Sequence, residues 1–111
     1  DSQQEGVEAK FGIYVRNLAP REFEEMKVDA EGGIIVTRID DGSFAEEIGL
    51  RENDVIIAIN RRPVKSVEEL KQLQATLSSG TPVAFRVARP MPSGRGQEIT
   101  WRPFYFAGEL P

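Results

Sequence analysis

Five consecutive apolar residues, Val55-Ile56-Ile57-Ala58-Ile59, constrain this chain more than any other stretch. A strand that is apolar on both faces has to be covered on both, so it belongs at the centre of a layered fold. Its flanks say how the chain enters and leaves. The run Gly42 to Val64, GSFAEEIGLRENDVIIAINRRPV, reads as a capped helical turn, a tight loop, the buried strand and a second turn. Ser43 followed three residues later by Glu46 is a capping box. Ala45 and Ile48 face inward from that short helix, and Gly49 ends it in a left-handed conformation. Asn53-Asp54 turns the chain before the strand and Asn60-Arg61-Arg62-Pro63 turns it after.

A chain of 111 residues suits one domain, with a core of small margin. It has no cysteine, so no disulfide or thiolate metal site holds it. It has no histidine either, which removes the commonest general base and any Ser-His-Asp arrangement within these residues. No catalytic residue, metal ligand or cofactor is assigned. The formal net charge is -4 and no basic stripe stands out, so nucleic acid is not an expected partner. No apolar run reaches the length of a membrane span. Asp1 to Gly6 reads as a polar linker, consistent with a domain cut from a longer protein.

The rest fits a small α+β fold of about five strands and two main helices plus one short helix. Residues 1 to 9 read as loose. Phe11 to Val15 is β-prone after a tight turn at Gly12. Pro20 opens a helix running to about Lys27, with Phe23 and Met26 on one face. Gly33 to Asp40 is a strand, with Ile35, Thr37 and Ile39 on one face and Ile34 and Val36 on the other. Ser66, with Glu69 completing a second capping box, begins the main helix, whose inner stripe is Val67, Leu70, Leu73, Gln74 and Leu77. Val83, Phe85 and Val87 alternate as a strand. Pro90 to Gly96 reads as a loop, Gln97 to Arg102 as the returning strand, and Phe104 to Pro111 as an aromatic tail.

Over residues 9 to 103 this order resembles the PDZ domain in its bacterial, circularly permuted form, a partly open β-barrel or sandwich. The family pattern runs roughly Gly-Ser-Pro-Ala, Ala-Gly-Leu, Gly-Asp-Val-Ile, Ile-Asn-Gly. With the Phe-Gly-Ile strand ahead of it and the Ser-Val-Glu-Glu-Leu helix behind, it looks like the PDZ domains of HtrA (Do-type) serine proteases. The second, C-terminal one is the nearer match. Residues 1–8 then form a linker and 104–111 a C-terminal tail. Phe44 stands where the family has Pro, Glu52-Asn53 replaces a glycine-containing turn and Arg61 replaces Gly; these changes are expected to alter turn geometry without reaching the site.

The resemblance implies a non-catalytic docking module. A ligand's C-terminal strand adds to an open sheet edge beside a helix, and a glycine turn aims successive N–H groups at its carboxylate. The matching residues are Lys10, Phe11, Gly12 and Ile13, then Tyr14 and Val15 along the strand, which is expected to be unpaired on the ligand side. Leu70, Gln74 and Leu77 wall the groove. Phe11, Ile13 and Leu77 line the pocket for an apolar last side chain, and Gln74 adds a polar contact. Implied partners are the hydrophobic C-termini of unfolded or misfolded proteins and the rest of a parent periplasmic protease. No membrane insertion and no cofactor are implied.

Other readings compete. Phe11, Ile13, Leu70 and Leu73 also read as core. Phe104 and Phe106 either cover their own domain or pack on another subunit, which would make this an oligomer-assembly module. The host protein could be another membrane or tail-specific protease. An enzyme built on Asp40-Asp41 or Glu46-Glu47 is disfavoured, because adjacent carboxylates rarely converge on one substrate.

Overall fold

The computed structural model describes residues 7–9, 11–28, 30, 32–92 and 99–110, with the backbone alone for Val7–Ala9. In chain order the elements are β1 (Val7–Ala9), β2 (Ile13–Asn17), α1 (Pro20–Met26), β3 (Ile34–Ile39), α2 (Phe44–Ile48), β4 (Val55–Ile59), β5 (Arg62–Pro63), α3 (Val67–Gln74), β6 (Pro82–Pro92) and β7 (Ile99–Glu109). The strands make one antiparallel sheet in the order β1-β2-β3-β4-β6-β7, with β5 hairpinned onto β4. The sheet stays open, so β1 and β7 are its edges. The α+β class holds. The strand count exceeds the expected five because β1 and β5 are too short to read from periodicity.

β4 is covered on both faces. Ile56 and Ile59 join Phe11, Ile13, Val15, Val36 and Phe85 in the main core, with Ala45 and Leu70 contributed from α2 and α3. Val55 and Ile57 turn the other way and meet Met26, Ala88 and the partly buried Phe23, Ile35 and Trp101 beneath α1. Local chemistry sets the helices as expected. The Ser43 hydroxyl accepts the Glu46 N–H at 3.2 Å, and the Ser66 hydroxyl accepts the Glu69 N–H at 3.1 Å. Gly49 ends α2 at φ 109°. In α1, Pro20 takes the first position and the Glu22 carboxylate accepts the Ala19 N–H at 2.9 Å. The hydrogen bond from Arg16, helped by that of Ala19, lowers the pKa of Glu22.

Some expectations need correction. Strict alternation would group Ile39 with Ile35, yet Ile39 packs on the main core with Val36. Tyr14 pairs with Arg38 and Val15 with Val36, so Thr37 is an extra residue on β3 and rephases the alternation. Asn53 and Arg61 adopt φ 75° and 69°, the left-handed region that favours glycine.

The largest correction is at the end of the chain. Phe104 to Glu109, expected as a tail, is the second half of β7, and it is this segment that pairs with Val83 to Val87. Phe104 and Phe106 pack on their own core. Leu110 is buried, its N–H donating to the Thr81 carbonyl at 3.0 Å while its carbonyl accepts the Gly80 N–H at 2.7 Å. Pro90 to Pro92, expected in a loop, extend β6; residues 93–98 lie outside the described residues.

Proline is admitted here by register. Ala84 exchanges both backbone groups with Asn60 of the β4–β5 turn, donating to the side-chain carbonyl and accepting the Asn60 N–H, each at 2.8 Å. Alternation therefore turns the backbones of even-numbered β6 residues away from β7. Pro82, Pro90 and Pro92 share that phase, and Pro103, opposite Ala88, falls in the same class of pairs with its missing donor toward the open edge.

One buried ion pair ties this hairpin to the rest. Asp54 is fully buried and takes Arg89 in a fork, Nε to Oδ1 at 2.8 Å and Nη2 to Oδ2 at 2.7 Å. Arg89 also donates to the Gly49 carbonyl at 2.9 Å, and its guanidinium lies 5.0 Å from the ring centres of both Phe104 and Phe106. The Asp54 hydrogen bonds raise the pKa of Arg89, which favours its charged form.

Candidate functional site

The turn before β2 can be made only by glycine. Gly12 sits at φ 86°, and a Cβ there would run into the Cβ of Ser43. Its carbonyl accepts the Asp40 N–H at 2.9 Å, and the Phe11 carbonyl accepts the Ala45 N–H at 3.1 Å. The turn is therefore pinned to the end of β3 and the start of α2. The Phe11 ring is buried, packed edge-on to Phe85 at 5.1 Å and tilted toward Phe44 at 6.3 Å. Phe11 serves the core here, as its competing reading held.

Along β2 the Thr37 hydroxyl donates to the Tyr14 carbonyl at 3.1 Å, so the Tyr14 backbone faces β3. By alternation, Ile13 and Val15 turn their backbone groups to the opposite edge, beside α3. Their side chains point into the main core. On α3, Leu70 and Leu77 are buried in that core and Gln74 is half-buried; Leu77 sits in the turn just past the helix. Tyr14 is half-buried, with the Arg38 guanidinium 4.2 Å from its ring centre. Asn17 was not foreseen. Its Oδ1 accepts the Val67 N–H at 2.8 Å, fastening the start of α3 to the end of β2 across 50 residues of sequence. Nothing local in the sequence marks such a link. Lys10 lies outside the described residues.

The edge itself differs from expectation. β2 is not unpaired on the α3 side: β1 occupies it, with Val7 opposite Val15, Glu8 opposite Tyr14 and Ala9 opposite Ile13. β1 lies against α3. The polar composition of Asp1 to Gly6 made the whole N-terminal stretch read as linker. Yet Val7–Ala9 stands one short turn ahead of β2, where pairing in a hairpin needs little loop closure.

One member of each acidic pair has a partner within the domain. The Glu46 carboxylate accepts the Gly42 N–H at 2.7 Å, and Asp40 lies 3.8 Å from Arg38. A concavity of about 760 Å³ lies away from β2, on the outer sheet face. Ile57, Ala58, Ala84 and Ala107 line it with Arg61, Lys65, Arg86 and Tyr105, and none of the expected site residues does.

A family model described as the PDZ domain matches residues 3–88, more than half of the chain. A probable periplasmic serine endoprotease DegP-like of Chlamydia trachomatis serovar D is 37% identical over 73 residues, 63% of this chain and 15% of that protein. A probable serine protease do-like of Buchnera aphidicola subsp. Acyrthosiphon pisum is 33% identical over 91 residues, 82% of this chain and 18% of that protein. The chain spans less than a quarter of the length of these relatives. Among solved structures, the HtrA3 PDZ domain bound to a phage-derived ligand (FGRWV) superposes with a TM-score of 0.57 at 23% identity, covering 88% of this chain and 86% of that one. The HtrA-type protease AlgW with decapeptide gives 0.55 at 22% identity, covering 91% of this chain and 29% of that one. At such identities the likeness is one of fold.

Proposed function

The chain belongs to the PDZ domain family, and from that premise we propose that it captures exposed apolar C-termini by strand addition beside β2. It would do so as a recognition or regulatory module of a periplasmic HtrA-type serine protease whose catalytic triad lies outside these residues. The relatives are named as periplasmic or Do-like proteases, and no described helix is long and apolar enough to cross a membrane.

The observation that carries the reading is the orientation of β2. The backbones of Ile13 and Val15 face α3, directly after a glycine-only turn pinned by two hydrogen bonds. A guest strand would take those backbone groups, its carboxylate at the Lys10-Phe11-Gly12 turn. Its last side chain would lie over Ile13 and Leu77, with Phe11 beneath as support. Tyr14, Val15, Leu70 and Gln74 complete the walls. The β1 strand has to leave for this to happen. Assembly through a free aromatic arm is the weaker reading, since Phe104 and Phe106 pack on their own core.

The test compares a peptide ending in free valine with the same peptide amidated. Each charge-assisted bond to the carboxylate is worth about 1.5–3 kcal/mol, so amidation should weaken binding at least tenfold. Backbone amide shifts should concentrate at residues 11–15 and 66–77. Equal affinity for both peptides would remove the carboxylate role of the turn.

A further inference from the structure

We propose that β1 is a tethered occupant of the ligand position, so that the groove opens only when Val7–Ala9 lifts away from β2; this rests on the reading of β2 and α3 as the walls of a peptide site. Direction is the first support. β1 runs antiparallel to β2 with Ala9 opposite Ile13, so its C-terminal end points at the Gly12 turn. A guest whose last residue lies at that turn has to run the same way. Register is the second. Ala9 and Val7 stand opposite Ile13 and Val15, the two residues whose backbones face away from β3. β1 and a guest therefore compete for the same donors and acceptors, in the same space beside α3. They exclude one another. With β1 in place, Ile13, Val15, Leu70 and Leu77 are each at most 8% exposed, so the closed groove offers a passing chain end no apolar floor.

The tether decides how firmly the groove is held. Ala9 and Ile13 are joined by one short turn, which gives β1 an effective concentration on the order of millimolar or above. A guest's apparent Kd is its intrinsic Kd divided by the fraction of open grooves. β1 is nonetheless a poor ligand. It is three residues long, and Ala9 continues into Lys10 as a peptide bond, so it brings no carboxylate to the turn. A longer strand ending in a free carboxylate holds what β1 lacks. The device is a threshold: it rejects weak or internal segments and yields to genuine chain ends. Any contact that draws the chain ahead of Val7 away from β2 lowers that threshold.

The test uses the full chain carrying Ala9→Pro, which removes an N–H that faces β2, and Val7→Pro as a second variant at the other bonded pair. The probe is a pentapeptide ending in free valine, and hydrogen exchange is followed at the Ile13 and Val15 amides without peptide. Both variants should bind the probe at least tenfold tighter than the parent chain. The Ile13 and Val15 amides, protected in the parent, should exchange freely in the variants. Binding by all three chains with no gain in either variant overturns the tether and leaves the docking reading standing. Fast exchange of Ile13 and Val15 in the parent chain overturns it as well. If no chain binds the probe, the docking reading falls and the tether with it.

Discussion

β1 and β7 end the same sheet, yet one is three residues long and the other eleven. β7 is held along its whole length by β6, by Phe104 and Phe106 on the main core, by Arg89 against their rings, and by Leu110 buried at its end. Its outer side is blunted by Pro103, which offers no donor to a visiting strand. β1 follows β2 for three residues and stops. An edge covered by so short a strand can exchange its cover for another; an edge built from the core cannot. On the docking reading proposed above, a guest would enter on the β2 side of the molecule.

The strongest way to break this contrast is at the anchor of β7. Arg89→Met strands the buried Asp54 carboxylate without its partner, and loss of one member of such a pair costs about 3–5 kcal/mol. The urea midpoint should fall accordingly. A loss below about 1 kcal/mol would mean that β7 is not secured through this pair. Gly12→Ala probes the other edge. It combines a left-handed backbone with a collision against Ser43, and about 1–3 kcal/mol of strain is expected, with peptide binding lost in the molecules that remain folded. Unchanged affinity would separate the turn from the binding site. The smallest effect belongs to Asn17→Ala. It frees the Val67 N–H and should cost about 1 kcal/mol, while loosening α3 from β2 and weakening peptide binding severalfold. A change in stability with no change in affinity would make Asn17 a helix clamp only.

What was legible in the sequence was local. The caps at Ser43 and Ser66, the left-handed end at Gly49, Pro20 at the start of α1 and the two-faced strand β4 all follow from neighbours within four residues, and all are found. The glycine at the turn before β2 belongs with them. What could not be read depends on distant partners. Asp54 looked like a turn residue because Arg89 is 35 positions away, and Asn17 looked idle because Val67 is 50 away. The extra residue Thr37 leaves no mark in composition, yet it moves Ile39 to the other face. At the site, Phe11 and Ile13 carry two readings because a groove floor and a core present the same apolar pattern; burial in the main core makes them core as the chain stands. The end of the chain was misjudged because Pro90, Pro92 and Pro103 suggest interruption, which proline causes only in the wrong phase of a ladder.

That shared phase also governs how the hairpin can assemble. A slide of β7 by a single position, with β6 held in phase by Asn60, would turn the Pro103 backbone toward β6, where the ladder demands an amide hydrogen, and would turn Phe104 and Phe106 off the core. A slide by two restores their parity but pulls Leu110 off Thr81 and shifts both phenylalanines away from Arg89. Pro103, the two phenylalanines and Leu110 thus act as a built-in alignment key: misaligned pairings are penalised at more than one point, so the longest ribbon in the molecule has one setting in which it closes.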